Sequence, residues 1–361
     1  ALILVATSGD TGKAALEGYK DVDGVKIMVF YPIDGVSKVQ KLQMATQTGE
    51  NVCVCAINGN FDDAQSGVKE IFSSEDTAKA LLENRVFLSS ANSINWGRLA
   101  PQIVYYISAY CDMLNAKEIT YGETVNVCVP TGNFGNILAA YFAYSMGMPV
   151  NKLICASNSN NVLTEFFANG SYDINREFFK TISPSMDILI SSNLERLIYD
   201  MSGCDSELIS GYMSGLSADG KYEVNDKIKA ELNANFVGGY ATDDETKAAI
   251  NETYKTYNYL ADTHTGVAIK VYNDYVKNTG DKTETVIVST ASPYKFSADV
   301  LEAVDSKSAD HDGIKAMAIL SEVTGTKIPT PLSGLDKRTV RFEDVCDSDD
   351  MIKAVYGYLG I

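Results

Sequence analysis

Pro130-Thr131-Gly132-Asn133-Phe134-Gly135-Asn136 is the stretch on which the reading of the fold turns. It follows an apolar run at 125–129 that reads as a buried strand, and it opens 137–146, which reads as a helix with an apolar stripe. A glycine-bearing turn between strand and helix gathers free backbone N–H groups and the positive end of a helix dipole at one point. That is a phosphate cradle built from main chain alone. Gly132 and Gly135 let the backbone approach an anion with no Cβ in the way. Taken alone, the stretch also reads as an ordinary strand-to-helix turn.

The same arrangement occurs at the start of the chain. Ala6-Thr7-Ser8-Gly9-Asp10-Thr11-Gly12 follows an apolar run at 2–5 and opens a helix. Working outward, strands are expected at 2–6, 26–31, 51–57, 124–129 and 152–156. Helices are expected between and after them, at 11–19, 37–46, 61–72, 95–114, 135–146 and 161–168. Near-continuous apolar strands separated by amphipathic helices imply parallel sheets covered on both faces. From about 190 to 279 the strands stop, and helices are expected at 194–201, 206–217, 226–235, 243–257 and 264–277. A strand returns at 285–289, a helix follows from Ser297, and a last helix is expected after Asp347. The length of 361 residues suits about two domains.

Composition narrows the function. A formal charge of −17 argues against nucleic acid, whose phosphates need clustered Lys and Arg. The 7 cysteines are scattered without a C-x-x-C pair, and three of them, Cys55, Cys128 and Cys155, lie in apolar strand-like runs. They read as reduced, buried thiols of a cytoplasmic protein. With only 2 histidines, His264 and His311, a His-rich metal site is not expected. No apolar run approaches the ~18 residues that span a bilayer, so no membrane partner is expected.

Two further stretches stand in a fixed order with the two turns: Ser90-Ala91-Asn92-Ser93-Ile94-Asn95-Trp96-Gly97-Arg98 and Ser289-Thr290-Ala291-Ser292-Pro293-Tyr294-Lys295-Phe296. Together the four resemble threonine synthase, a pyridoxal-phosphate enzyme of the tryptophan-synthase-β fold type. That family's signatures read ATSGDTG, SANSIN-x-x-R, P-[ST]-GNFG and TA-x-P-x-KF. The resemblance covers nearly the whole chain. It implies two three-layer α/β domains of pyridoxal-phosphate fold type II, with the cofactor in the cleft between them. Residues 1–92 would form a smaller mobile domain, incomplete at its N-terminus. Residues 93–361 would form the large cofactor-binding domain, with a helical insertion at about 190–279.

The resemblance also implies roles. Gly132, Asn133, Phe134, Gly135 and Asn136 would hold the phosphate of pyridoxal 5'-phosphate by backbone N–H, and Thr290 would meet the ring nitrogen with a neutral hydroxyl. Thr290 also reads as a strand-end hydroxyl capping a turn. The family's Schiff-base lysine lies upstream of the ATSGDTG motif, so it has no position in this numbering. Lys13 and Lys38 are nearest, but neither matches the family's lysine motif, and Lys13 reads as solvated. The chain is therefore expected to be part of a longer one and inactive alone.

The implied substrate is O-phospho-L-homoserine, turned into L-threonine and phosphate. Thr7, Ser8, Gly9, Asp10 and Thr11 would take its carboxylate, with Asp10 turned away to cap the helix. Asn92, Ser93, Asn95 and Arg98 would take its phosphate, Asn95 and Arg98 sharing a helix face at i, i+3. Lys295 is a further cation for the site. Arg98 also reads as a surface ion-pair residue. Asp262-Thr263-His264-Thr265-Gly266 resembles the family's D-P-H-T-[AG]-V segment with Thr263 in place of proline, and His264 reads as structural. Ser292 stands where the family usually has histidine. A monomer or homodimer is expected. Three alternatives stay open: a serine/threonine dehydratase-like lyase of the same fold type, a catalytically incompetent fragment, and a non-catalytic phosphate-binding module. A nicotinamide dehydrogenase is disfavoured, because neither turn spells G-x-G-x-x-G.

Overall fold

The segment Leu-Ile-Leu-Val-Ala has all five side chains buried, which requires a strand inside a sheet with both faces covered. The computed structural model describes residues 1–93, 95–308, 311 and 313–361, so Ile94 of the 90–98 motif lies outside the described residues. The described strands, in chain order, are Leu2–Ala6 (β1), Lys26–Pro32 (β2), Val52–Asn58 (β3), Leu88–Ser90 (β4), Val125–Pro130 (β5), Val150–Ser157 (β6), Ser171–Asp173 (β7), Lys221–Glu223 (β8), Phe236–Tyr240 (β9), Thr285–Ile287 (β10) and Val345–Asp347 (β11).

Two compact units hold them: Ala1–Asn95 with Ser292–Ile361, and Trp96–Ala291. The first contains a sheet in the order β11-β3-β2-β1-β4, and the second a sheet in the order β10-β5-β6-β9. Every pairing in these two sheets is parallel. Only the small β7–β8 ladder is antiparallel among the described strands. Parallel strands alternating with helices give the α/β class expected from the sequence. β1 and β5 lie inside their sheets, and each ends at its own glycine-bearing turn. The turns therefore stand at the carboxyl ends of strands, where open α/β sheets place ligands.

Three of the helices start at capping boxes. Ser37 and Gln40 form a capping box at Lys38–Ala45, as do Asn60 and Asp63 at Phe61–Ser73, and Thr242 and Glu245 at Asp243–Tyr257. Among the described residues no helix is long and apolar enough to cross a membrane.

Three expectations need correction. The sequence places the tail with the larger domain, but β11 adds to the edge of the first sheet, with Val345 opposite Ala56 and Asp347 opposite Asn58. The Asn58 amide donates to the Asp347 carboxylate at 2.8 Å and holds this short strand in register. Nor is the block at 190–279 free of strands: β8 and β9 run through it, and β9 pairs with β6. Its Phe-Val-Gly-Gly-Tyr sequence hides it, because glycine is depleted in strands. The glycines serve packing instead. A Cβ on Gly238 would stand 2.8 Å from Thr164 Cα, and one on Gly239 2.6 Å from Val271 Cγ1. Finally, Asn95 does not share a helix face with Arg98, since the helix Trp96–Ala116 begins one residue later.

Candidate functional site

In the unit Trp96–Ala291, β5 is buried along its whole length and ends at Pro130. The helix Gly135–Ser145 follows with Phe134 at its N-cap, at φ 67 in the left-handed region and without a side-chain cap bond. A bulky residue there costs about 1–2 kcal/mol. The Phe134 ring is only 1% exposed and packs 6.0 Å, centroid to centroid, from both Phe167 and Phe236. Burying such a ring contributes about 2–3 kcal/mol, so packing outweighs the strain. The turn is thus fixed by an aromatic anchor rather than by a capping side chain. Its first-turn N–H groups have no side-chain cap, which is the condition for holding an anion.

The segment 185–193 packs around this turn. A Cβ on Gly132 would stand 2.7 Å from the Ser185 carbonyl oxygen and 3.0 Å from Met186 Cα. Glycine is therefore required at 132 by the backbone of 185–186, and not only by an approaching anion. Ser191 Oγ donates to the Gly132 carbonyl at 2.6 Å, and Asn193 Nδ2 donates to the Asn133 carbonyl at 2.9 Å. Arg196 donates in turn to Asn193 Oδ1 at 2.8 Å. At the far end of the turn, Tyr106 donates its hydroxyl proton to Asn136, 2.5 Å from Oδ1 and 3.0 Å from the carbonyl oxygen. The cluster Ser191-Ser192-Asn193 before a helix was the available signal for this collar. Ser185 Oγ is buried and has no hydrogen-bond partner among the described residues. An orphaned hydroxyl on the residue whose backbone packs against Gly132 fits a group rich in acceptor oxygens, such as a phosphate.

Behind the collar lies a buried polar network. The Asp187 carboxylate accepts from Thr181 N at 2.9 Å, Thr181 Oγ1 at 2.7 Å and Asn158 Nδ2 at 2.8 Å. Burial pushes its pKa above the ordinary carboxylate value, against the pull of those donors. His264 stands beside it, with Nδ1 3.1 Å from Asp262 Oδ1 and Nε2 accepting the Ser185 N–H at 3.2 Å. Burial also opposes the charge on Asp262, but the hydrogen bonds from His264 and the Thr265 hydroxyl outweigh it, and its pKa lies below the ordinary value. Thr290 lies three residues beyond β10 and is exposed.

In the other unit, the turn after β1 is held by its own polar groups. Thr7 is buried, and its hydroxyl accepts from the N–H groups of Gly9 at 2.9 Å and Gly12 at 2.8 Å. Gly9 has φ 127, a conformation that favours glycine. Asp10 does not cap its helix, contrary to expectation. Its Oδ1 instead accepts from Lys295 Nζ at 2.7 Å and Gln40 Nε2 at 2.9 Å. An ion pair outcompetes a local N–H here because the cation is brought alongside by the fold. Ser37 Oγ donates to the Lys295 carbonyl at 2.6 Å and anchors that residue. The helix Asp10–Tyr19 is left without a side-chain cap, like its counterpart in the other unit.

The remaining motif residues divide. Asn92 is committed to the fold: Oδ1 accepts the Ala6 N–H at 3.1 Å, and Nδ2 donates to the Ala6 carbonyl at 2.7 Å. Asn95 Nδ2 donates to the Ser90 carbonyl at 2.8 Å. Ser8, Thr11 and Ser93 are half-buried, and Arg98 is exposed. Ser292 accepts from Tyr294 N and caps the short turn Pro293–Phe296. Lys13 is not simply solvated: it pairs with Glu17 at 2.7 Å and with Gln47.

The chain belongs to the pyridoxal-phosphate dependent enzymes. Residues 1–291 match the family described as pyridoxal-phosphate dependent enzyme, and 265–355 match threonine synthase, C-terminal. The chain is 41% identical over 360 residues to threonine synthase-like 1 of Homo sapiens, covering 96% of this chain and 48% of that protein. It is 38% identical over 295 residues to threonine synthase of Pseudomonas aeruginosa, covering 82% and 60%. The crystal structure of pyridoxal-phosphate-bound threonine synthase from Brucella melitensis superposes with a TM-score of 0.80 at 35% identity, covering 99% of this chain and 70% of that one. The yeast enzyme superposes with a TM-score of 0.82 at 30% identity, with the same coverage. The chain spans about half the length of the first curated relatives it matches.

Proposed function

We propose that this chain, which belongs to the pyridoxal-phosphate dependent enzymes and matches the threonine synthase C-terminal family at its end, is the binding core of a threonine synthase. The reaction would convert O-phospho-L-homoserine and water into L-threonine and phosphate. Pyridoxal phosphate is the family's cofactor. When bound, it supplies an electron sink for negative charge on carbons near the amino group of an amino acid.

The chain's own residues would do the positioning. The N–H groups from Gly132 to Asn136 hold the cofactor phosphate, and the Ser185 hydroxyl adds a donor beside them. Thr290 meets the ring nitrogen with a neutral hydroxyl. Ser8, Gly9 and Thr11 bind the substrate carboxylate through hydroxyls and helix-start amides. Thr7 keeps that turn in shape from beneath. Asp10 would repel a carboxylate, but Lys295 neutralises it at 2.7 Å. Ser93, Asn95 and Arg98 bind the phosphate that leaves, the guanidinium offering two parallel donors. Asn92 supports this region by its paired bonds to Ala6.

The observation that carries this reading is the uncapped helix start held open by the left-handed, core-anchored Phe134. Full-length protein containing this chain, given pyridoxal phosphate and O-phospho-L-homoserine, is expected to release threonine and inorganic phosphate in equal amounts. Threonine without phosphate, or neither product, rejects the reading. Conversion of serine or threonine to a keto acid, with O-phospho-L-homoserine inert, favours a dehydratase-like lyase instead.

A further inference from the structure

His264 is 3% exposed, and both of its ring nitrogens are engaged. A carboxylate accepts and an amide N–H donates, so the ring carries its proton on Nδ1, toward Asp262, and keeps a lone pair on Nε2 for Ser185. An imidazole occupied on both sides is poorly placed to exchange a proton with a substrate. What it holds is more informative.

Ser185 sits in the short turn Pro184–Met186. Pro184 has no N–H to offer. The N–H groups of Met186 and Asp187 bond back to the carbonyls of Ser183 and Pro184, at 2.9 and 3.1 Å. Ser185 N–H is the donor that goes to His264. The same residue's carbonyl oxygen, with Met186 Cα, occupies the space in which a Cβ on Gly132 would lie. The path from imidazole to phosphate turn is therefore one hydrogen bond and one van der Waals contact. The flanking residues are held separately: Asp187 by Thr181, Asn158 and Asn160, and Ser183 by Asn158 and Thr181.

We propose that His264 is a positioning residue for the cofactor-phosphate turn, seating residues 185–186 against Gly132 and so fixing where the turn presents its N–H groups. The inference rests on the reading of that turn as the phosphate site. Asp262 sets the ring's tautomer, and the Ser185 hydroxyl is carried to its buried position by the same bond. Removing the acceptor frees the segment to lift from Gly132, which loosens the grip on the phosphate and on nothing else in the cofactor.

The test compares pyridoxal phosphate with pyridoxal, which has the same ring and aldehyde but no phosphate. Dissociation constants for both are measured by absorbance on the full-length protein, as wild type, His264→Leu and His264→Gln. Losing one buried acceptor is expected to weaken pyridoxal phosphate about tenfold in His264→Leu, with pyridoxal unchanged. His264→Gln offers a carbonyl oxygen near the Nε2 position and is expected to retain most of the discrimination. Equal weakening of both compounds, or no weakening of either, overturns the proposal. Wild type that binds the two compounds equally rejects the phosphate-site reading itself, and this proposal with it. Should His264→Leu fail to fold, amide exchange in the wild type decides. Ser185 N–H is expected to exchange slowly, and more slowly once pyridoxal phosphate binds; exchange at the rate of an open turn overturns the proposal.

Discussion

The two glycine-bearing turns solve the same problem by opposite means. The turn after β5 is fixed from the hydrophobic side, by Phe134 driven into the core against Phe167 and Phe236. The turn after β1 is fixed from the polar side, by Thr7 beneath it and by Asp10, Gln40 and Lys295 beside it. Apolar packing carries no charge for salt to screen or for an arriving charged ligand to perturb. An ion pair with 22% and 29% of its side-chain surface exposed is sensitive to both. The first design suits the proposed cofactor phosphate, which would stay, and the second the proposed substrate carboxylate, which would enter and leave.

The largest effect separates anchor from strain. Phe134→Ala keeps the left-handed backbone and loses the ring, and it is expected to destabilise the unit Trp96–Ala291 by about 3–5 kcal/mol. Phe134→Gly loses the same ring but relieves the backbone, and it is expected to recover about 1 kcal/mol of that loss. Urea unfolding of the three proteins checks the order. If the alanine and glycine variants are equally stable, the turn stores no strain.

A middle-sized effect tests the polar turn. Lys295→Met leaves the Asp10 charge uncompensated where a carboxylate is proposed to bind. Stability is expected to fall by less than about 1 kcal/mol, since a partly exposed ion pair contributes little. The KM for O-phospho-L-homoserine is expected to rise about tenfold with pyridoxal-phosphate affinity unchanged. Adding Asp10→Asn is expected to restore KM. A double variant as poor as Lys295→Met means that Lys295 contacts the substrate directly.

The contrast also explains what was legible in the sequence. β1, β5, their turns and the helices that follow are contiguous, and apolar continuity with turn chemistry suffices to read them. The aromatic anchor is written locally, because a phenylalanine between asparagine and glycine at a helix start has to go somewhere dry. The polar latch is not. Asp10 meets Lys295 across 285 residues and His264 meets Ser185 across 79, and no local rule chooses those partners over a nearby N–H. β11 is three residues long, too short to show a period, and β9 is masked by glycines that make room for Thr164 and Val271.

The smallest effect lies in the polar layer behind the core-anchored turn, where two carboxylates respond to acid in opposite directions. Asp262 has a folded-state pKa below its unfolded value. The unfolded chain therefore takes up the proton first, and the stability Asp262 contributes is present above the unfolded value of about 3.9 and is lost as the pH falls toward the folded one. Asp187 is shifted upward by burial, so its contribution has the opposite sign: it favours the fold below the unfolded value and fades as the pH rises through the folded one. Wild type shows the sum of the two. In Asp262→Asn the urea midpoint is expected to fall less steeply on acidification than in wild type, because only the Asp187 contribution remains in this layer. In Asp187→Asn it is expected to fall more steeply. If neither variant changes the slope between about pH 3 and pH 5, the layer does not respond to acid, and only the turn after β1 would be governed by charge.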